Sequence, residues 1–193
     1  MKIRTSQIAL LLAPLLLAGC QDTRAVQTHQ SEPTPQGWRD TLEKRLPVFG
    51  HRNWIVVADW AYPKQSAPGI ETVYTDAGQV EVLGEVLRAI DSADHVRPVI
   101  MCDAELESVT EAAAPGVDAY RSQLKELLGD RPVKVLPHEE IIGELDEGAK
   151  LFNILILKTD MTIPYTSVFI ELDCGYWGPE KEKRLRDTIG KSK

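Results

Sequence analysis

Four side chains combine reactive chemistry with a position next to a predicted strand or helix: His51, Asp59, His138 and Tyr165. Histidine can gain or lose a proton near neutral pH, because its unperturbed pKa is about 6.5. A nearby carboxylate can orient the ring, and a phenol can donate or accept a hydrogen bond. These residue types suit general acid/base chemistry, although each one by itself also suits a purely structural role.

A single predicted strand separates His51 from Asp59. An extended strand of about eight residues would place their α-carbons roughly 25 Å apart. The two side chains can therefore share a site in only two ways. Either the chain folds back at His51, or a neighbouring subunit supplies one of the two residues.

Aromatic residues follow Asp59 at the carboxyl end of that strand, where α/β proteins place their ligand sites. Trp60 and Tyr62 have the size and flatness to stack on the apolar face of a sugar, but aromatic residues that cap a core look the same in sequence. The two other histidines are His29, in a polar tract, and His95, in a polar turn. Both are expected to be solvated surface residues.

The sequence lacks the motifs of the common cofactor and metal sites. It has no Gly-rich phosphate loop, no dinucleotide-binding glycine pattern and no Gly-x-Ser-x-Gly elbow. Zinc-type spacing of cysteine and histidine is absent as well. No metal is therefore expected, and these motifs leave the function open.

The apolar residues alternate between helical and strand periods from residue 38 onward, which predicts an α/β domain. The predicted helices span residues 40–46, 79–90, 117–128, 139–147 and 179–189. The predicted strands span residues 53–59, 96–102, 132–136, 151–157 and 166–172. The last helix is highly charged and has no deep apolar face.

The first 20 residues have the three parts of an export signal: two basic residues, an apolar stretch over residues 8–17, and small residues before Cys20. Leu17-Ala18-Gly19-Cys20 resembles the bacterial lipoprotein signal, in which the cysteine carries the lipid. An uncleaved anchor or a plain secretory signal are the alternatives. We expect a protein of the bacterial cell envelope, lipid-anchored outside the cytoplasm.

Four segments follow from this organisation. They are a signal peptide over residues 1–19, a flexible tether over 20–37, a globular domain over 38–178 and a charged tail over 179–193. The tether is polar and contains prolines, so it has little apolar surface to bury.

The formal charge of the chain is −7, and it becomes −9 when Lys2 and Arg4 leave with the signal. Such a chain is a poor partner for phosphate backbones, so nucleic-acid binding is disfavoured. Two cysteines remain beyond Cys20, namely Cys102 and Cys174. An oxidising compartment would permit a disulfide between them, and free buried thiols are the alternative.

Several short motifs occur in an order that resembles the D-ribose pyranase and L-fucose mutarotase family. The motifs are Gly50-His51, Val57-Ala58-Asp59 with Pro63, Leu136-Pro137-His138-Glu139-Glu140, Ala149-Lys150-Leu151-Phe152 and Pro164-Tyr165-Thr166-Ser167-Val168-Phe169-Ile170. Together they cover roughly residues 42–175. Each motif is weak alone, and the resemblance depends on their order and spacing.

The resemblance implies a three-layer α/β/α single domain that assembles into rings, with sites between subunits. It implies isomerisation between ring or anomeric forms of a free monosaccharide, without a cofactor. His51 and Asp59 would be the catalytic residues, and His138 and Tyr165 would bind the substrate. A site between subunits would also remove the distance problem for His51 and Asp59.

Two further positions are implied substrate contacts, and both differ from the family pattern. Ser167 stands where the family has an asparagine, and its hydroxyl is shorter than an amide. Trp60 stands where the family usually has a small alanine. Two alternatives to the enzyme therefore stay open: a tethered sugar-binding lipoprotein without catalysis, and a lipoprotein that uses the fold as an oligomeric scaffold.

Overall fold

A six-stranded mixed sheet lies at the centre of the domain that the structure describes. The computed structural model describes residues 37–191, so the predicted signal, Cys20, His29 and nearly all of the predicted tether lie outside the described residues. The five α-helices of the described part are α1 Gly37–Arg45, α2 Gln79–Asp91, α3 Val117–Leu128, α4 His138–Ala149 and α5 Pro179–Lys191. The strands are β1 Trp54–Ala58, β2 Ile70–Tyr74, β3 Val96–Asp103, β4 Val133–Leu136, β5 Ile154–Lys158 and β6 Val168–Cys174.

The strand order is β2-β5-β1-β6-β3-β4, and β6 is the antiparallel member. Since β1 and β3 both run antiparallel to β6, they run parallel to each other. Their carboxyl ends, together with those of β2, β4 and β5, lie at the edge of the sheet where β6 begins. We call this the carboxyl edge. The opposite edge contains the start of β1 and the end of β6.

Helices cover both faces of the sheet. Ile55 and Val57 of β1 belong to the core cluster that also contains residues of α1, α2 and α3. Val56 of β1 faces the other way, into a second cluster with Ile141 and Leu145 of α4. The predicted three-layer α/β/α class is therefore confirmed. β1 is buried along its whole length, as expected of a central strand.

Ten predicted elements are present, and α3 has the predicted bounds. Strand β2 was not predicted. It is an outermost strand of the sheet, and among the described strands it pairs with β5, where Ile70 is opposite Ile154. A pairing between segments so distant in the chain leaves no local period in the sequence, which is why β2 was missed.

A buried polar network holds the start of β6 in place. Gln79 is buried, and its Nε2 donates to the backbone carbonyls of Val57 at 2.9 Å and Thr166 at 2.7 Å. Its Oε1 accepts from the hydroxyl of Thr159 at 2.6 Å, and the hydroxyl of Tyr120 donates to Thr166 O at 2.7 Å. The network fixes the segment that leads into β6.

We predict that Gln79→Leu lowers the free energy of unfolding by about 1–3 kcal/mol, because it leaves buried polar partners without their hydrogen bonds. Urea unfolding measures the change. Gln123→Leu, on the exposed surface of α3, is the matched control and should change it by less than about 0.5 kcal/mol. Equal effects of the two substitutions would show that the network contributes nothing.

Both cysteines of the described chain are free. Cys102 pairs with Val168, whereas Cys174 pairs with Val96, so the two lie six positions apart along β6. That spacing is about 20 Å. A disulfide needs α-carbons within about 7 Å, so the chain cannot close this bridge on itself. Burial raises the pKa of the Cys102 thiol to about 12, which keeps it protonated.

Helix α5 carries mainly charged, exposed side chains, as predicted. Its start is tied to the preceding loop, since the indole N–H of Trp177 donates to Glu182 at 2.8 Å. None of the helices in residues 37–191 combines the length and apolar character needed to cross a bilayer.

Candidate functional site

A cavity of about 350 Å³ opens at the carboxyl edge. Four of its lining residues carry the candidate chemistry: Asp59, Asp103, His138 and Tyr165. Around these, the cavity is lined by Ala61, Tyr62, Pro63, Gln65, Glu139, Ile142 and Pro164.

The strand order explains why distant residues meet at this cavity. Asp59 directly follows β1, Asp103 is the last residue of β3, and His138 begins α4 soon after β4. These strands are parallel, so their carboxyl ends lie side by side. Tyr165 precedes β6, whose reversed direction brings its amino end to the same edge.

Asp59 acts as the organising residue of the loop that borders the cavity. Its Oδ1 accepts hydrogen bonds from the backbone N–H groups of Ala61 at 2.8 Å and Tyr62 at 3.1 Å. Its Oδ2 accepts from the hydroxyl of Ser167 at 2.9 Å. Ser167 was an expected substrate contact, but it is buried and does not line the cavity. Its hydroxyl holds Asp59 and does not face a ligand.

Asp103 and His138 form a close pair between the sheet and α4. Nδ1 of His138 lies 3.1 Å from Oδ2 of Asp103, whose side chain is 0% exposed. The contact is bent away from the ideal hydrogen-bond direction, so these buried atoms are within ion-pair distance but incompletely satisfied. The His138 side chain is 31% exposed and reaches the cavity.

Burial raises the pKa of the Asp103 carboxyl; the contact with His138 lowers it in part, and the charges of Glu105 and Asp59 raise it further. A pKa that is higher in the folded than in the unfolded chain favours folding at low pH. That contribution is lost as the pH rises from the pKa of aspartate in the unfolded chain, about 3.9, through its higher pKa in the folded chain. At neutral pH the Asp103 carboxylate therefore lowers the free energy of unfolding.

Three neighbours contact His138: one holds its backbone and two lie beside its ring. Its backbone N–H donates to the carboxylate of Glu105, at 3.0 and 3.1 Å, which fixes the start of α4. Its ring meets Tyr165 edge-on with centroids 5.7 Å apart, and Phe169 with centroids 6.5 Å apart. Glu105 therefore fixes where the side chain starts, and two aromatic rings border the imidazole.

Tyr165 has a left-handed backbone, with φ of 59°, immediately after Pro164. Such a conformation is strained for a bulky residue and persists where the surroundings enforce it. Here the network around Thr166 supplies that enforcement. The side chain is half-exposed and lines the cavity.

Tyr62 is buried in the same wall. Burial is the main cause that raises the pKa of its phenol, and the charges of Asp146, Asp103 and Asp59 add to it. Tyr62 therefore keeps its proton and can serve as an O–H donor. Its hydroxyl also accepts a hydrogen bond from Gln65 at 3.3 Å.

The structure places His51 away from this cavity. His51 precedes β1 and lies at the opposite edge of the sheet, with its side chain 60% exposed. Its Nδ1 contacts Oδ1 of Asp173 at 2.9 Å, and Arg97 pairs with Oδ2 of the same carboxylate. Burial alone would raise the pKa of Asp173, but hydrogen bonds from Arg97 and the Cys174 amide lower it below its usual value.

Trp60 lies on the far side of the Asp59 loop. Its side chain is exposed and stacks on Tyr74, with ring centroids 6.4 Å apart and planes 21° apart. It lines a separate depression of about 460 Å³, which shares Asp59, Ala61 and Pro164 with the cavity. Trp60 does not line the cavity that contains His138.

The residues described, 37–191, contain no group of three or more histidine, cysteine, aspartate or glutamate side chains placed to hold a metal ion. The cavity has two aspartates, one glutamate and one histidine around a ring-sized space. This arrangement can bind hydroxyl groups and exchange protons with them.

Sequence reasoning missed Asp103, Glu105 and Asp173. A signal for Asp103 was present, because it ends a buried strand just as Asp59 follows one. The pairing of Asp173 with His51 left no such signal, since it joins residues 122 positions apart.

No protein-family model matches the chain, and no curated protein matches it. Among solved structures, the chain is similar to Bacillus subtilis RbsD complexed with D-ribose, with 20% identity, a TM-score of 0.49, and 69% of this chain and 91% of that chain covered. It is also similar to FucU from Bifidobacterium longum, with 22% identity, a TM-score of 0.48 and coverage of 69% and 92%. The fucose mutarotase of Streptococcus pneumoniae in complex with L-fucose shows 20% identity, a TM-score of 0.47 and coverage of 75% and 97%.

Proposed function

We propose that the protein binds a free monosaccharide in the cavity at the carboxyl edge and catalyses the interconversion of its ring or anomeric forms. The observation that carries the proposal is the convergence of the Asp103–His138 pair, Asp59 and Tyr165 on one cavity. Its volume of about 350 Å³ lies at the small end of the range for ligand sites, about 300–1,000 Å³.

The chemistry needs only proton transfer. A base takes the proton of the anomeric hydroxyl, and the bond between the anomeric carbon and the ring oxygen breaks. The electron pair of that bond stays on the ring oxygen, which an acid protonates. Closure through another hydroxyl, or on the other face of the carbonyl, repeats the exchange in reverse. Atoms and electrons balance without an oxidant or a cofactor.

Within one chain, His138 is the residue suited to move the proton, because its imidazole reaches the cavity and its Nδ1 is held by a carboxylate. Tyr165 and Tyr62 offer phenol hydroxyls to the sugar from the cavity wall. Asp59 orders the bordering loop, and Ser167 holds Asp59. A positioned acid or base of this kind typically contributes about 10²–10⁴-fold to the rate.

His51 keeps a catalytic role in this proposal only as a residue supplied by a second copy of the chain. His51 is available at the surface because its side chain is exposed, and the Asp173 carboxylate orients its ring. A homo-oligomer that places His51 of one copy at the cavity of another would join it to Asp59, as the motif resemblance implies.

Exchange spectroscopy by NMR tests the proposal with D-ribose, L-fucose and a panel of other free monosaccharides. We expect the protein to accelerate the interconversion of at least one of them above the uncatalysed rate in the same buffer. Methyl glycosides of the same sugars are the control, because their anomeric oxygen has no proton and their ring cannot open. Absence of acceleration with every free sugar would overturn the enzymatic proposal.

A second candidate function is sugar binding without turnover. The observation that favours it is the position of His51, which one chain by itself does not bring to the cavity. Calorimetry distinguishes the two functions, because saturable binding without faster exchange selects this candidate. The third alternative, an oligomeric scaffold, would show no binding of any sugar in the same titrations.

We also propose that Cys20 carries a lipid that holds the domain at the bacterial envelope, outside the cytoplasm. The proposal rests on the sequence before Cys20 and on the polar tether that follows it. More than one acyl chain gives stable anchoring, whereas a single chain binds a membrane only marginally.

A further inference from the structure

We propose that Asp103 is a positioning residue that acts through His138. Its carboxylate accepts the proton on Nδ1 and so leaves Nε2 as the basic nitrogen that faces the ligand. The effect on catalysis rests on the function proposed above, whereas the effect on the imidazole can be tested without it.

The geometry gives Asp103 one partner. Its side chain is fully buried, and Nδ1 of His138 lies 3.1 Å from its Oδ2. Among residues 37–191, no side chain or backbone donor forms a well-directed hydrogen bond with either carboxylate oxygen, so the His138 contact is the nearest to one. The other charged groups that act on Asp103 are the carboxylates of Glu105 and Asp59, which repel a negative charge.

The same geometry decides which ring nitrogen meets a ligand. Nδ1 of His138 is buried against Asp103, while the side chain as a whole is 31% exposed and lines the cavity. Nε2 is therefore the nitrogen left for the cavity. A 180° turn of the ring about its Cβ–Cγ bond would place Cδ2 beside Asp103 and lose the Nδ1 contact, so that contact favours the orientation seen here.

The free-energy cost of burying the Asp103 carboxylate favours a functional reason for its presence. A fully buried carboxylate with one imperfect partner is costly, and an apolar residue of similar shape is often neutral or stabilising in such a place. Burial makes the charged form of Asp103 unfavourable, as its raised pKa indicates. Strained or costly groups of this kind concentrate at functional sites.

An aspartate beside a catalytic histidine acts by deciding which ring nitrogen carries the proton. In a hydrolase triad, replacing the aspartate with asparagine leaves the geometry intact but stabilises the wrong tautomer, and the rate falls by about 10⁴-fold. Asparagine at position 103 would present an amide that can donate to Nδ1. The proton of the neutral ring would then sit on Nε2, which could no longer accept a proton from a sugar hydroxyl.

Nitrogen NMR of the histidine rings tests the inference directly in the intact protein without any sugar. In the wild type we expect the neutral His138 ring to carry its proton on Nδ1. In Asp103→Asn, and in the apolar variant Asp103→Leu, we expect the proton to move to Nε2. Asp91→Asn is the control, since Asp91 forms a surface ion pair with Arg131 and is no part of the cavity wall.

Exchange rates give a second readout for a sugar on which the wild type is active. We expect Asp103→Asn to lower the rate by about 10²-fold or more. In a His138→Gln background the same change should alter the rate less than about twofold, because a residue that acts through another loses its effect with it. Independent losses that multiply in the double variant would overturn the positioning role.

The outcomes separate this inference from the proposed function. An unchanged His138 tautomer in both Asp103 variants overturns the inference, whatever the activity. A shifted tautomer in a protein that accelerates no sugar exchange supports the inference and contradicts the enzymatic proposal. If one Asp103 variant fails to fold, the other gives the same readout.

Discussion

His138→Gln is expected to slow sugar exchange by about 10²–10⁴-fold, because it removes the imidazole that carries the proton at the cavity. Glutamine keeps a polar side chain of similar size, and the Glu105 carboxylate still accepts the backbone N–H that starts α4. The fold should therefore persist. The measurement is the exchange rate by NMR at saturating sugar, with circular dichroism to verify folding.

His95→Gln is the matched control for this substitution. The His95 ring contacts the backbone carbonyls of Leu46 and Phe49 and lies outside the cavity. Its exchange rate should stay within about twofold of the wild type. A His138→Gln protein that is folded and as fast as the His95→Gln control would contradict the role of His138.

Mixed oligomers of two inactive variants are expected to regain activity if His51 serves the cavity of a neighbouring copy. His51→Ala removes the imidazole at the opposite edge, and Asp59→Asn removes the charge at the cavity. Asparagine can still accept from the N–H groups of Ala61 and Tyr62, so the loop should keep its shape. Each variant alone should lose about 10²-fold or more, because the first lacks the imidazole and the second lacks the carboxylate proposed to work with it.

Co-expression of the two variants with different affinity tags gives the mixed assembly. In a random assembly with composite sites, about one quarter of the sites pair an intact His51 with an intact Asp59 from the adjacent copy. The mixed sample should therefore show about one quarter of the wild-type rate. No recovery, in an assembly that contains both tags, would refute a composite site, and a His51→Ala protein with undiminished rate would remove His51 from the mechanism.

The stability cost at Asp103 and the activity of the cavity are linked in this picture. The carboxylate lowers the free energy of unfolding at neutral pH, since burial raises its pKa. The same carboxylate is proposed to set the proton position on His138. A natural chain tolerates such a residue where function requires it, because stability needs only to exceed a threshold.

The amino-acid sequence alone predicted most elements of the domain, because helices and buried strands leave local periods. The continuous apolar run of β1 and the helical spacing in α3 are clear cases, and both are present. The sequence also predicted the α/β class and singled out Asp59, His138 and Tyr165. Their residue types alone were compatible with structural roles, and the order of the short motifs around them singled them out.

The tertiary structure alone decided which of these residues share a site. The meeting of Asp59, Asp103, His138 and Tyr165 depends on the strand order and on the reversed direction of β6. The same order places His51 at the opposite edge, beside Asp173. The period of apolar residues depends only on neighbours within one helix or strand. Strand order and register depend on pairings between distant parts of the chain. Burial of a side chain such as Asp103 follows from those pairings.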